Sequence, residues 1–346
     1  MNLLSGVTDF FGLDIGSSAI RAVQLKGSGP TKALERYGYI QIPDTSTVSD
    51  AKLDRQKVAQ TIHELVNKIG ITTKNAAVNL PSNRVFTTVL DWDKLPQQEI
   101  DKTLRYQADS IIPTPLAESK LDWAQIGQSP KDTKKVEILL SSVPNKFIED
   151  RLNMLEAAGV NVIAFEPDSM ALSRALIASD LQTPHMLLDI GSMATDLVIS
   201  MQGAPRLVRS IPVGTQTFVR SAMQALNIDQ SQAEQFVFKF GLGRDKLDGQ
   251  VYNSILNTVE SLMSEIDKSI KFFEGRYLNV KIERIIVTGG ASSLPEFPLY
   301  IANKFGINVE IGNAWRNVSF PASQQNELAA LSNHFAVAVG LAERTG

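Results

Sequence analysis

Short apolar runs that flank a glycine turn occur at two places in the chain, at 13–23 and at 188–198. In each place one run leads into Asp-Ile-Gly-Ser, and a second apolar run follows directly. Because short strands of this kind are joined most simply by a tight turn, each segment predicts a β-hairpin. The pattern differs from a Rossmann or Walker loop, in which the glycine turn opens a helix.

The two segments are copies of each other. A shift of 175 residues, from Leu13 to Leu188, aligns them without a gap, and seven of eleven positions are identical. Self-similarity at a long period indicates a duplicated unit. A chain of 346 residues with 43% hydrophobic composition can fill two cores, so we expect two lobes with one hairpin in each.

A third glycine turn lies between 284 and 295. There a β-branched run ends in Gly289 and Gly290, and a helix is predicted from about Glu296. A strand that stops at two glycines leaves room for a flat base or a ribose. Near the C-terminus, small apolar residues at 334–342 predict a helix that can pack closely against another element.

Between the two hairpins, the periodicity predicts a small β-α-β-β-α unit. Its elements are strands at 84–90, 121–126 and 136–143 and helices at 97–112 and 147–158. In the first helix the apolar residues fall on one face, and Pro113 ends it. Such a unit would form a subdomain inserted into the first lobe.

Composition excludes several kinds of site. The chain has no cysteine, which rules out disulfides, thiolate metal sites and a cysteine nucleophile. Its formal net charge is -3 and it has no basic block, so we expect no nucleic-acid partner. We see no secretory signal and no apolar run long enough to span a membrane, and therefore expect a cytoplasmic protein without a span of its own.

The residue types in the two hairpins suit a phosphate. Glycine lets backbone approach phosphate oxygens, serine hydroxyls and N–H groups donate to them, and an aspartate at a strand end can hold Mg²⁺ through water. Two such hairpins facing each other would grip one triphosphate from both sides. The alternative is that each Asp-Ile-Gly-Ser is an ordinary turn, but two copies half a chain apart favour the phosphate clamp.

These motifs, in this order, resemble those of the actin, sugar-kinase and chaperone superfamily, and the resemblance covers essentially the whole chain. Within it, the sequence is similar to the PilM family of type IV pilus assembly, a relative of the division protein FtsA. The segment 106–115 resembles the aromatic-Glu-Ala and Ile-Pro-Phe-Pro segment of PilM proteins, with Gln107 at the usual Glu position. The resemblance implies an α/β protein with the actin-like ATPase fold.

The resemblance also implies domain boundaries. The main body of lobe 1 (subdomain 1A) would comprise 1–84, 160–185 and 333–346, and the insert (subdomain 1C) would comprise 85–159. Lobe 2 would comprise 186–332, with a smaller subdomain 2B at about 225–280.

The family pattern assigns roles residue by residue. It implies ATP and Mg²⁺ as ligands, with Asp14 and Asp189 holding the metal mainly through water. The residues it implies at the nucleotide are Gly16, Ser17, Ser18, Arg21, Gly191, Ser192, Gly214, Glu234, Gly289, Gly290 and Ser292. Glu166 takes the position of the group that orients the attacking water, and Asp168 is the second candidate for this role. A helix-capping role for either residue also stays open.

Four positions depart from the family pattern. Arg21 replaces a lysine, Thr215 replaces the second glycine of a pair, and Glu296 replaces a glycine. Val237 stands where a lysine is expected, and Lys239 lies two residues further on. These changes predict a clamp that holds ATP more than it hydrolyses it, and at most a slow ATPase.

By resemblance, the protein is a scaffold or regulator of pilus assembly that uses nucleotide as a conformational latch. It would bind the N-terminal cytoplasmic peptide of a single-span inner-membrane partner, PilN, in a groove between 1A and 1C, and so lie at the inner membrane. The candidates for lining this groove are Val85, Leu104, Ala108 and Ile111, and for each of them a place in the core is the favoured alternative. Homo-oligomerisation stays open, as does a self-blocking role for Asn2-Leu3-Leu4, which matches the Asn-Leu-Leu core of partner peptides.

Two other functions remain as alternatives. A division protein like FtsA would end in a basic linker and an amphipathic membrane helix, which the last residues of this sequence do not resemble. A sugar or carboxylate kinase of the same fold would need a catalytic aspartate, for which Asp91 and Asp93 are the candidates.

Overall fold

The first lobe opens with three antiparallel strands, a long helix and a parallel strand. We describe the protein from a computed structural model that covers residues 7–27, 29–42, 46–178 and 181–345, so Asn2-Leu3-Leu4 lies outside it. The opening elements are β1 (Phe11–Ile15), β2 (Ala19–Lys26), β3 (Lys32–Gln41), α1 (Lys52–Ile69) and β4 (Asn75–Leu80). The first predicted hairpin is confirmed as β1 and β2, which pair in antiparallel register.

An inserted unit follows, in which one helix covers a three-stranded sheet of order β5-β7-β6. Its elements are β5 (Phe86–Asp93), α2 (Gln97–Gln107), β6 (Ser119–Gln128) and β7 (Lys135–Pro144). The predicted strands are confirmed. The first helix ends at Gln107 and continues as a short 3-10 turn, since Pro113 and Pro115 prevent further helix.

The chain then returns to lobe 1 through α3 (Asn145–Ala157), β8 (Asn161–Pro167) and α4 (Asp168–Leu176). The predicted insert 85–159 includes α3, but Ile148 and Leu155 of this helix are buried in the lobe 1 core together with Ile62 of α1. The helix therefore packs with the main body of the lobe.

Lobe 2 repeats the plan of lobe 1. Its elements are β9 (His185–Ile190), β10 (Thr195–Met201), β11 (Ala204–Ile211), α5 (Thr215–Leu226), α6 (Gln230–Phe240), α7 (Gln250–Arg276), β12 (Arg284–Thr288), α8 (Phe297–Phe305) and β13 (Asn308–Ile311). The chain closes with β14 (Val318–Ser319), α9 (Gln325–Leu331) and α10 (Ala336–Ala342). Because β14 pairs with β3, the chain rejoins the lobe 1 sheet before residue 333, where the sequence had predicted its return.

The two large sheets share a strand order. Lobe 1 has the order β14-β3-β2-β1-β4-β8, and lobe 2 has β11-β10-β9-β12-β13. In both, a hairpin and a third antiparallel strand are followed by two parallel strands, so the duplication seen in the sequence extends through five strands. The predicted two-lobed α/β architecture is confirmed.

Two helices, α4 and α10, lie between the sheets. One buried cluster joins Val23 and Ala77 of lobe 1 to Leu187 and Ile286 of lobe 2 through residues of these helices. The approach is close, since a Cβ on Gly340 would lie 2.0 Å from the carbonyl oxygen of Ala171. The predicted small-residue helix therefore packs at the junction of the lobes, and the two hairpin turns face each other across a cleft.

Candidate nucleotide cleft

A cavity of about 1050 Å³ separates the lobes. Its walls include both Asp-Ile-Gly-Ser turns, the turn after β12 and the exposed side of α6. Of the residues predicted to contact nucleotide or metal, those that line it are Asp14, Gly16, Ser17, Ser18, Arg21, Asp189, Gly191, Ser192, Glu234, Gly289 and Gly290. The fold thus brings together residues that are up to 276 positions apart, from Asp14 to Gly290.

The first turn offers unused backbone donors. The N–H of Gly16 donates to the carbonyl of Ala19 at 3.1 Å and closes the turn. Within the described ranges, the N–H groups of Ser17 and Ser18 donate no hydrogen bond, and both residues line the cleft. Such N–H groups in a tight turn form an anion-binding concavity.

The second turn is fixed to the start of α5. The N–H of Gly191 donates to Ala194 at 2.9 Å, while Thr215 and Gln216 donate to the carbonyls of Gly191 and Ser192 at 3.0 Å each. Gly214 lies behind this turn and does not line the cavity, since a Cβ on it would be 2.5 Å from the Ser192 carbonyl. Its role is therefore to let α5 approach the turn, rather than to face the cleft as expected.

The third turn depends on Gly289, which has a φ of 79°. A Cβ there would lie 2.4 Å from Oδ1 of Asp189, so a side chain would displace the carboxylate. Ser292, predicted beside the nucleotide, is fully buried outside the cavity, and its hydroxyl donates to the Gly289 carbonyl at 2.7 Å. Asn333 donates to that hydroxyl at 2.8 Å, so Ser292 supports the turn from behind.

Two further aspartates line the cleft close to the two predicted at the metal site. Asp168 and Asp196 join Asp14 and Asp189. Burial, together with the charges of Asp196 and Asp14, raises the pKa of Asp189 to about 7. Burial and the neighbouring carboxylates also raise the pKa of Asp168 well above its ordinary value. This concentration of negative charge favours a cation.

The carboxylates do not converge into a direct metal cage. In the part of the chain that the structure describes, no three His, Asp or Glu side chains are placed to hold one metal ion together. The residues therefore fit a magnesium ion whose ligands are mostly water and phosphate oxygens, which is how Mg²⁺ is commonly bound beside a nucleotide.

Glu166, predicted to orient the attacking water, lies outside the cleft. Its buried carboxylate accepts hydrogen bonds from Arg174 and, at 3.3 Å, from Arg344. Asp168 lines the cleft instead. Of the two candidates, the structure places Asp168 at the cleft and Glu166 away from it.

A residue that the sequence analysis missed positions Asp168. Asn79 is buried at the end of β4, where its Nδ2 donates to Oδ1 of Asp168 at 3.0 Å. Its Oδ1 accepts from the N–H of Ile15 at 2.8 Å, so Asn79 joins Asp168 to the first hairpin. The signal available was an asparagine next to the last residue of a mostly apolar strand that ends before Pro81.

The four residues expected to line a peptide groove are core residues. Val85 is buried in lobe 1, Leu104 and Ala108 are buried in the core of the insert, and Ile111 packs against that core. The helical spacing correctly identified a buried face, and the alternative of a core role for these residues agrees with their burial.

The structure also shows where residues that depart from the family pattern, and the candidate kinase bases, lie. Arg21 donates to Asp14 at 3.2 Å, and Val237 is buried in the lobe 2 core. Lys239 is exposed, with its Nζ 5.4 Å from the ring centre of Phe240. Asp91 pairs with Arg276 at 2.8 Å and, like Asp93, does not line the cleft, so neither can act as a kinase base there.

Two lobes with the same sheet topology, closed around a cleft of glycine turns and carboxylates, define the protein as one with the actin-like ATPase fold. Solved structures support this class. The MreB5 protein of Spiroplasma citri bound to ADP has a TM-score of 0.55 at 15% identity over 96% of this chain and 95% of that one. The ethanolamine utilization protein EutJ from Carboxydothermus hydrogenoformans has a TM-score of 0.56 at 14% identity over 99% and 91%.

A third likeness is much closer in structure. A chain of a PilM-PilN type IV pilus biogenesis complex has a TM-score of 0.84 at 24% identity, with 97% of this chain and 98% of that chain covered. The family model described as type IV pilus assembly protein PilM matches residues 12–346. The chain therefore belongs to the PilM family, and the resemblance inferred from the sequence is confirmed. Across the described residues, no helix has the length and apolar character needed to cross a bilayer.

Proposed function

We propose that this protein is an ATP-binding scaffold of type IV pilus assembly, in which nucleotide in the cleft controls binding of a PilN-like partner. Membership of the PilM family and the likeness to a chain of a PilM-PilN complex support the pilus role and the partner. The nucleotide is supported by the actin-like fold and by an ADP-bound neighbour.

The observation that carries the nucleotide proposal is the cleft itself, since its two walls come from different lobes. The N–H groups of Ser17 and Ser18 would donate to phosphate oxygens from one side, and the Gly191 turn would face them from the other. Asp14 and Asp189 would hold water ligands of Mg²⁺, which neutralises phosphate charge when bound. Gly289 leaves the space that adenosine requires at the third turn.

A ligand held by both lobes favours the conformation in which they are close. It shifts the equilibrium between open and closed forms by its differential affinity for them, which is how a nucleotide acts as a latch. Asp168, buried beside the first turn, would orient water for a slow hydrolysis. Glu166 cannot do so while both arginines occupy its carboxylate.

The partner peptide would dock where lobe 1 meets the insert. The residues first considered are core residues, so we assign the anchor to Tyr106 of α2, the aromatic residue of the family-like segment, which is 94% exposed. An exposed aromatic ring is a typical anchor for a peptide. Binding a single-span partner would hold the protein in the cytoplasm at the inner membrane.

The test is a titration with a synthetic peptide that contains Asn-Leu-Leu, with and without MgATP. We expect MgATP to change the affinity of the wild type, and Tyr106→Ala to weaken binding. The matched control is Phe272→Ala, which removes an aromatic ring of 64% exposure from α7 of lobe 2 and should bind normally. Absence of binding in both nucleotide states would contradict the scaffold role.

A further inference from the structure

The cleft continues past its acidic cluster into a second region that the nucleotide motifs do not explain. Its wall is formed by the 46–50 segment, α1, the turn at 82–84 and α3. Three arginines line it, namely Arg55, Arg84 and Arg151. A cluster of positive charge directly beside the carboxylates of the cleft requires a physical reason.

Arg151 is the unusual member of this group. Its side chain is 7% exposed, yet within the described chain it makes neither a hydrogen bond nor an ion pair. Its guanidinium carbon lies 5.2 Å from the ring centre of Phe147, and that of Arg84 lies 5.5 Å from the same ring. By contrast, Arg55 is paired with Asp150 at 3.0 Å, and Arg84 is paired with Asp50 at 3.5 Å on the exposed side of the region.

Arg151 lines the cavity together with the charged groups that act on it. Burial lowers its pKa to about 10, Asp168, Asp14 and Asp50 oppose this effect, and Arg84 adds to it. These four residues all line the cavity. A buried charge without a partner is costly, and a guanidinium fork matches the oxygens of a tetrahedral anion.

We propose that Arg151, with Arg84 beside it, forms a subsite for a phosphate oxyanion in this second region of the cleft. The anion is either the terminal phosphate of the bound nucleotide or free inorganic phosphate. This inference rests on the proposed nucleotide function. It adds Arg151 of α3 to the nucleotide site, as a residue whose contact depends on the presence of the terminal phosphate. The protein would then distinguish ATP from ADP through an arginine outside all three glycine turns.

The test uses calorimetric titrations of the whole chain with MgADP, with a non-hydrolysable MgATP analogue, and with inorganic phosphate added to the MgADP complex. The variants are Arg151→Met, Arg151→Lys and the control Arg55→Met, which removes a paired arginine from the same wall. We expect Arg151→Met to lower the preference for the ATP analogue over ADP by about tenfold, or to abolish phosphate binding. Arg151→Lys should restore part of the effect, and Arg55→Met should behave as wild type.

The nucleotide titrations and the phosphate titration distinguish the two sources of phosphate. A change in the ATP analogue preference alone assigns the subsite to the attached terminal phosphate, and a loss of phosphate binding alone assigns it to the free anion. If Arg151→Met alters neither, or if Arg55→Met alters both equally, the inference is wrong. Thermal unfolding gives an independent readout, since removal of an unpaired charge should leave the ligand-free protein at least as stable, whereas a purely structural arginine would destabilise it when removed.

Failure of the nucleotide proposal would give a different result in the same titrations. If the wild type binds neither nucleotide, the proposed function fails. Phosphate titrated into the ligand-free protein then decides the subsite alone, because binding that Arg151→Met abolishes supports it and absence of binding overturns it.

Discussion

The two Asp-Ile-Gly-Ser hairpins share one backbone plan but differ in charge at one equivalent position. In the first, Asp14 lies opposite Arg21 across the strands, and their side chains pair at 3.2 Å. In the second, Asp189 lies opposite Asp196, so two carboxylates face each other. Burial raises the pKa of both aspartates, but in the first hairpin Arg21 opposes the shift of Asp14. In the second hairpin, the charges of Asp196 and Asp14 add to the effect of burial and raise the pKa of Asp189 to about 7.

The difference in charge indicates that the two hairpins have different roles in the cleft. We expect a cation in the cleft to gain most from the second hairpin, because among the described residues Asp189 has no ion pair of the kind that Arg21 makes with Asp14. The first hairpin keeps its charge balanced without a ligand, which suits a lobe that must stay ordered when the cleft is open. Duplication supplied the geometry, and the residue opposite each aspartate then changed its electrostatics.

The largest expected effect comes from closing the space beside Asp189. Gly289→Ala puts a Cβ into a left-handed conformation and against the Asp189 carboxylate. We expect a loss of about 2 kcal/mol of unfolding free energy, from urea denaturation, and at least a tenfold loss (about 1.4 kcal/mol) of MgATP affinity. Gly290→Ala is the matched control, because its Cβ would meet only the Thr215 methyl at 3.7 Å. Equal effects at both positions would refute the close-approach argument.

The second prediction breaks the charge balance of the first hairpin. Arg21→Met leaves Asp14 buried without its cation, so we expect about 2 kcal/mol of destabilisation at neutral pH, measured by urea unfolding. Arg105→Met is the control, since its ion pair with Asp101 is exposed and should contribute less than about 0.5 kcal/mol. Similar losses in the two variants would mean that burial of the Asp14 pair is unimportant.

The third prediction relieves the second hairpin and has the opposite sign. Because the folded-state pKa of Asp189 is raised, the folded protein binds that proton more tightly than the unfolded chain, and stability falls as pH rises toward about 7. Asp196→Asn removes one cause of this shift. In metal-free protein we expect the variant to match wild type near pH 4 and to be about 1 kcal/mol more stable near pH 8. A gap that is constant with pH would contradict the coupling.

The smallest expected effect concerns the turn positions that differ between the hairpins, Ser18 and Met193. Ser18→Ala removes a hydroxyl donor from the cleft and should weaken MgATP binding by about threefold in a calorimetric titration. Met193→Ala removes an exposed apolar side chain from the equivalent position and should change affinity by less than about twofold. The reverse order would show that the second turn dominates phosphate binding.

The same hairpins show what the sequence could and could not reveal. Local patterns predicted both turns, because strand, glycine and strand are adjacent in the chain. They could not distinguish Glu166 from Asp168, since that choice depends on which side of the β8 end faces Arg174 and which faces Asn79. Periodicity likewise marked Leu104 as buried without showing that its neighbours are the insert's own strands.

Contacts between distant segments were equally hidden. The pairing of β14 with β3 and the supporting bonds from Asn333 to Ser292 join parts of the chain that carry no shared local signal. That Arg151 has no hydrogen-bond or ion-pair partner among the described residues is a property of packing alone, which is why its region of the cleft emerged only from the structure.

The most direct test of the account is a calorimetric titration of the purified protein with ATP, once with Mg²⁺ and once with EDTA. A single cleft built from both hairpins predicts one ATP per chain, with affinity that depends on Mg²⁺ and is lost in Gly289→Ala. No binding, or binding that is indifferent to both Mg²⁺ and Gly289→Ala, would contradict the claim that the duplicated hairpins form one nucleotide clamp.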